Sequence, residues 1–210
     1  MTTHDYSATH TAVLLIDPYN DFLGEGGKLA VPAKEVADAV HTLEHMRAVV
    51  AAARAAGIRI IYVPHHRALP DDFEGWKHAT PYQLGAAKLQ VFAAGSWGGE
   101  WHPDFVPQPG DVIAKEHWSS SGFANTDLDF QLKQHGIQRV VLIGMLANTC
   151  LESTGKFAAE LGYHVTLVRD ATAAFSALAM QCAHEINGPT YAHAIVSTAE
   201  LLDAFEPVRV

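Results

Sequence analysis

Short, nearly continuous apolar runs take turns along this chain with longer segments whose apolar positions return every three or four residues. Residues Thr11 to Ile16 read Thr-Ala-Val-Leu-Leu-Ile and stop at Asp17-Pro18, the signature of a strand buried on both faces. Val36, Val40, Leu43 and Val50 then fall at helical spacing, and Gly57 follows where a helix cap belongs, so a helix is predicted over 33–56. A strand over 58–63 ends at Pro64. The stretch 65–110 is rich in Gly, Pro, Trp and His and has no sustained period; a helical piece at 82–89 is the exception. Connections of that length inside a domain usually carry function.

The alternation resumes with a strand over 111–115, a helix over 126–135 stopped by Gly136, and an apolar strand over 139–144. A helix over 149–161, a strand over 164–168, a helix over 179–185 and a strand over 194–197 complete the pattern. Strands and helices that take turns in this way require crossover connections. The expected fold is therefore α/β, doubly wound, with a mostly parallel six-stranded sheet and helices on both faces. With 210 residues, 49% of them apolar, the chain has enough material for one such domain spanning 1–210.

Charge and cysteine content narrow the partners. The 14 Lys and Arg stand against 23 Asp and Glu, a formal charge of -9, with no basic run, so a nucleic-acid partner is not expected. The longest apolar runs, such as Val140 to Leu146, are far shorter than the roughly 18 residues that suggest a membrane span. The opening Met-Thr-Thr-His-Asp-Tyr-Ser has neither the basic nor the apolar region of a secretory leader. The only cysteines are Cys150 and Cys182, and a cytoplasmic chain with both thiols free is expected. Cys182, within a predicted helix and without a basic neighbour, reads as packing.

In open parallel sheets the ligand crevice lies beyond the carboxyl ends of the strands. Three chemically capable residues are delivered there: Asp17 after the first strand, Lys115 closing Asp-Val-Ile-Ala-Lys, and Cys150 just after Val-Val-Leu-Ile-Gly. Cys150 also falls at a predicted helix start, a position that lowers a thiol's pKa. A carboxylate can take the thiol proton and pass it to a departing amine, while a lysine holds that carboxylate ionised. Taken singly, each residue fits equally well a packing thiol or a surface ion pair.

Three sequence blocks go further. Leu-Leu-Ile-Asp17-Pro-Tyr-Asn20-Asp21-Phe22, Lys115-Glu-His-Trp-Ser-Ser-Ser-Gly-Phe123 and Gly144-Met-Leu-Ala-Asn-Thr-Cys150-Leu-Glu resemble, in order and spacing, the motifs of the isochorismatase-like cysteine hydrolases. That family includes nicotinamidases, N-carbamoylsarcosine amidohydrolases, and ureidoacrylate and biuret hydrolases. The resemblance implies Asp17 as general base and acid, Lys115 as its electrostatic partner, and Cys150 as the nucleophile that forms a thioester. It also implies a non-proline cis peptide at Met145-Leu146 and an oxyanion hole made by the Leu146 and Cys150 amides. Asn20, Asp21 and Glu152 read as hydrogen-bonding braces.

The activity implied is hydrolysis of an amide, ureido, carbamoyl or lactam bond in a small molecule. Two other readings differ in kind: a vinyl ether hydrolase of the isochorismatase type that uses Asp17 without covalent catalysis, and a binding protein that has lost its reaction. The third block has Ala147-Asn148-Thr149 where nicotinamidases read Thr-Asp-Tyr, so the substrate does not carry over. Nicotinamidases also place Asp-x-His after the second strand to hold a metal. Here that strand ends in Pro64-His65-His66, and neither a metal nor another cofactor is expected. Phe22, His117, Trp118 and Phe123 are the predicted pocket residues. The resemblance further implies a homodimer or homotetramer.

Overall fold

The computed structural model describes residues 6–205; residues 1–5, part of the segment read above for a leader, lie outside them. Six strands form one sheet: β1 (Thr11–Ile16), β2 (Arg59–Val63), β3 (Val112–Ile113), β4 (Arg139–Met145), β5 (His164–Ala173) and β6 (Ala194–Val196). Their order is β3-β2-β1-β4-β5-β6, and every pairing is parallel. The helices are α1 (Asn20–Leu23), α2 (Ala30–Ala39), α3 (Thr42–Ala55), α4 (Pro81–Leu89), α5 (Leu128–Gln134), α6 (Glu152–Glu160), α7 (Ala177–Gln181) and α8 (Thr198–Ala204). No helix among the described residues is long and apolar enough to cross a membrane.

The period-two geometry of a strand divides each apolar run between two cores. From β1, Val13 and Leu15 join Met46, Val49 and Ala53 of α3 and Leu201 of α8, while Ala12, Leu14 and Ile16 join Leu128 and Leu132 of α5 and Ala158 of α6. All six β1 residues are buried. The doubly wound α/β reading from sequence is thus the architecture found.

Two departures from that reading have clear causes. The single helix predicted over 33–56 is two, α2 and α3, broken at His41, which takes a left-handed φ of 51°. Ala33 and Val36 pack beneath the long loop with Phe22 and Phe92, whereas Met46 onward packs under the sheet. Both halves bury an apolar face, so the spacing alone does not reveal the turn. Beyond the 164–168 core of its strand, β5 continues to Ala173 after a register shift opposite Leu142 and Gly144, with Arg169 and Asp170 masking the continuation.

The order of strands reverses between β1 and β4: β2 and β3 extend one way, β5 and β6 the other. A crevice opens at such a switch point, and the first residues beyond β1 and β4 lie on its two sides. Gly144 lets these strands come close. Its φ is 114°, and a Cβ there would stand 2.1 Å from the Ile16 carbonyl oxygen, which only glycine tolerates.

Candidate active site at the carboxyl edge of the sheet

Asp17 leaves β1 with a left-handed φ of 51°, its amide donating to the Val63 carbonyl at 3.1 Å. Its carboxylate is fully buried. Cys150 lies in a single π-helical turn, Ala147–Leu151, that links β4 to α6, and the Met145-Leu146 peptide before that turn is cis. A carboxylate oxygen of Asp17, a ring nitrogen of His117 and the Cys150 sulfur all lie within 4.8 Å of one another.

The side chain that faces Asp17 is His117, not Lys115. His117 Nε2 is 3.1 Å from Asp17 Oδ1, with both side chains at 0% exposure. Lys115 is exposed, and its backbone amide donates to Asp127 Oδ1 at 2.7 Å. The cause is an extra residue in the strand. Ala114 donates to Tyr62, and His117, three residues on, donates to Pro64, only two residues on. The paired positions shift accordingly, from Tyr62 with Ile113 to His65 with His117. Such a bulge re-aims the side chains beyond it, sending Lys115 outward and His117 inward.

The imidazole is held at both nitrogens. Nδ1 lies 2.6 Å from the Ser119 carbonyl oxygen, which only an N–H can satisfy, so Nε2 carries a proton toward an ionised Asp17 when the ring is imidazolium. Burial acts most strongly on this ring and disfavours its charge. The Asp17 carboxylate, the Ser119 carbonyl and the charge of Glu116 together outweigh burial and raise the pKa of His117. His65 packs edge-on against it, ring centroids 5.0 Å apart. Burial lowers the His65 pKa, so His65 adds little competing positive charge.

The thiol differs from the expectation at a helix start. Burial first, then the negative charge of Asp17 and its hydrogen bond, push the pKa of Cys150 well above its ordinary value; the Thr149 side chain and the Leu146 backbone act the other way without prevailing. The site therefore rests as a neutral thiol facing a carboxylate. Asp17 Oδ2 is buried without a hydrogen-bond partner, an acceptor open to the proton that the thiol must lose.

Of the predicted pocket residues, Phe22 and Trp118 line a cavity that also touches Cys150. Phe123 does not: it is a core residue beneath the sheet, with its ring 5.9 Å from that of Tyr163. His117 belongs to the Asp17 pair. The sequence reading missed His65, Phe73, Tyr82, Phe92 and Phe175 as cavity residues. The aperiodic stretch 65–110 pointed to the region that supplies four of them, but nothing local told its inward residues from its outward ones.

The braces behave as hydrogen bonders. Asn20 Nδ2 donates to the Trp97 carbonyl at 2.9 Å. Asp21 accepts the Lys28 amide at 3.1 Å and the Phe92 amide at 2.7 Å, tying the segment before α2 and the long loop to the turn after β1. Glu152 accepts from Lys156 at 2.6 Å and from Asn187 at 3.1 Å. His66 is engaged by Asp72 at 2.9 Å and Glu116 at 3.4 Å. A larger open depression of about 800 Å³, between α3 and the turn at residues 22–26, has neither cysteine nor serine on its walls among the described residues.

A buried thiol, carboxylate and imidazole are thus gathered at the switch point of a doubly wound sheet. Residues 11–200 match the isochorismatase domain, and the chain belongs to that family. The ureidoacrylate amidohydrolase RutB of Caulobacter vibrioides is 31% identical over 206 residues, covering 93% of this chain and 91% of that protein. Among solved structures, a cysteine hydrolase from Pseudomonas syringae pv. phaseolicola shares the fold with a TM-score of 0.79 at 24% identity, covering 96% of this chain and 95% of that one. N-carbamoylsarcosine amidase from Thermoplasma acidophilum has a TM-score of 0.66 at 27% identity, covering 90% and 96%.

Proposed function

We propose that this chain hydrolyses a carbon-nitrogen bond of a small-molecule amide, ureide, carbamoyl compound or lactam through a thioester on Cys150. The observation that carries this reading is the contact group of Asp17, His117 and the Cys150 sulfur within 4.8 Å, opening on a cavity. Family membership and amidohydrolase relatives support it.

In the first half-reaction Asp17 takes the thiol proton as Sγ bonds to the carbonyl carbon, giving a tetrahedral oxyanion. Because burial and Asp17 both oppose a resting thiolate, proton transfer and attack occur together. The amides of Leu146 and Cys150 receive the oxyanion. The Leu146 carbonyl takes the Thr149 and Leu151 amides, both at 3.2 Å, a pairing that skips the Cys150 amide between them. Collapse breaks the C–N bond, and Asp17 passes its proton to the nitrogen, which leaves as amine or ammonia. In the second half Asp17 takes a proton from water, the hydroxide attacks the thioester, the C–S bond breaks and Asp17 returns the proton to sulfur. His117 keeps Asp17 oriented between these transfers.

The test is Cys150→Ala assayed on primary amides, carbamoyl compounds and lactams, with intact-protein mass spectrometry of the wild type during turnover. Loss of at least about 10³-fold in kcat, together with an acyl adduct on Cys150, is expected for covalent catalysis. Undiminished activity of the variant would move the reaction to a non-covalent path through Asp17.

A further inference from the structure

The cavity that reaches Cys150 has a volume of about 320 Å³, toward the small end of ligand pockets, which run from roughly 300 to 1,000 Å³. Its walls are dominated by Phe22, Phe73, Tyr82, Phe92, Trp118 and Phe175. These rings are mutually braced: Phe22 and Phe92 have centroids 5.0 Å apart, His65 and Phe92 5.4 Å, and His66 stacks on Trp118 at 3.7 Å with an interplanar angle of 20°. Such surfaces favour flat apolar groups.

Among the described residues neither lysine nor arginine contributes to the lining, whereas Asp72 does. Arg67, the nearest arginine in the chain to His66, is spent elsewhere. Its guanidinium lies 5.1 Å from the Trp101 ring centre, pairs with Glu116 at 3.2 Å, and donates from Nε to the Gly99 carbonyl at 2.9 Å. His66 is raised in pKa by Glu116 and Asp72 against the opposing pull of burial, but two carboxylates share that one ring, so it offers no spare positive charge to a ligand. A carboxylate brought into this cavity loses its hydration and finds no counter-ion.

Resting on the proposed amide hydrolysis at Cys150, we infer that the substrate is an uncharged amide or ureide whose acyl side is a flat, apolar, preferably aromatic group, and that acids are excluded. In this it departs from ureidoacrylate, the carboxylate-bearing compound named for the relatives above. Specificity comes from two sources: aromatic walls that reward a ring, and Asp72 beside an engaged His66, which rejects an anion.

The experiment pairs isosteres that differ in charge. 4-Nitrobenzamide is compared with 4-carboxybenzamide, and N-(4-nitrophenyl)urea with N-(4-carboxyphenyl)urea, by turnover on the wild-type chain and by calorimetric binding to Cys150→Ser. The neutral member of each pair is expected to win by at least about tenfold in kcat/KM and in Kd, and Phe175→Arg, which adds a cation to the wall, to shrink that ratio about tenfold. Circular dichroism checks that Phe175→Arg is folded. Equal or tighter binding of the acids, or no binding by either member to the Cys150→Ser protein, overturns the substrate class. A Cys150 adduct formed with the acids would leave the reaction reading standing while this one falls. Neutral amides that bind tightly yet form no adduct would do the reverse.

Discussion

His117 is the residue whose removal most sharply tests the arrangement at Asp17. Replacing it with Asn leaves a polar group of smaller size but withdraws the imidazolium from a carboxylate that has no exposure. Two unit charges at the observed 3.1 Å attract by roughly 5 kcal/mol at an effective dielectric near 20. Part of that attraction offsets the burial of the ring itself, and deleting one partner of a buried pair typically costs about 3–5 kcal/mol. His117→Asn is therefore expected to lose about 3 kcal/mol of stability near pH 6 and at least about 10²-fold in kcat, as the Asp17 carboxylate loses the ring that orients it toward the thiol proton. The pH dependence carries the sign. The pKa of His117 is raised on folding, so its stabilising contribution is fully present below the unfolded value of about 6.5 and is lost as pH rises through the folded value. The stability gap between wild type and His117→Asn, measured by urea denaturation from pH 5.5 to 9.5, should narrow toward alkaline pH. The alkaline limb of kcat/KM should move upward in His117→Lys, whose cation persists to higher pH. A gap below about 1 kcal/mol at every pH, with activity within a few-fold of wild type, would show that the pair does not serve the reaction.

Lys115→Ala, which removes an exposed side chain, should leave kcat/KM within about twofold and stability within about 0.5 kcal/mol; a loss of a hundredfold would restore Lys115 as the partner of Asp17. Alkylation of Cys150 by iodoacetamide should be slow at pH 7 and climb steeply in alkali, because burial and Asp17 raise its pKa. Asp17→Asn removes the second of these causes, so its labelling should be faster at neutral pH while turnover vanishes, as followed by mass spectrometry. Gly144→Ala forces a Cβ into the Ile16 carbonyl and should lower the thermal midpoint by about 10 °C or more or abolish folding, a change of several kcal/mol read by scanning calorimetry. Unaltered melting would mean that β1 and β4 do not approach as described.

The resting protonation of the site bears on how the reaction can run. A cysteine placed at a helix start next to a cation would be a stable thiolate. Here the sulfur is buried beside the Asp17 carboxylate, and the His117 ring is engaged by Asp17 at 3.1 Å. On the proposed mechanism the nucleophile is generated only when a substrate carbonyl arrives to take it, and nonspecific thiol chemistry is held down meanwhile.

Period and punctuation in the sequence determined the six strands, their mostly parallel arrangement and the delivery of Asp17 and Cys150 to one edge, because apolar runs bounded by Pro and Gly constrain the backbone locally. The blocks around those residues also marked the cis peptide at Met145-Leu146, found as expected. Tertiary structure alone decided the rest. One extra residue after β3 turned Lys115 to solvent and His117 to Asp17, since side-chain direction follows pairing register, which residue spacing in one strand cannot report. The pKa of Cys150 rose instead of falling, since burial and the carboxylate of a distant strand outweigh a local helix start. Phe123 went to the core, while Phe92, Tyr82 and Phe175 came to the cavity. An aperiodic loop has no repeat from which to read its inward face; here the Phe92 amide, donating to the Asp21 carboxylate, fixes it.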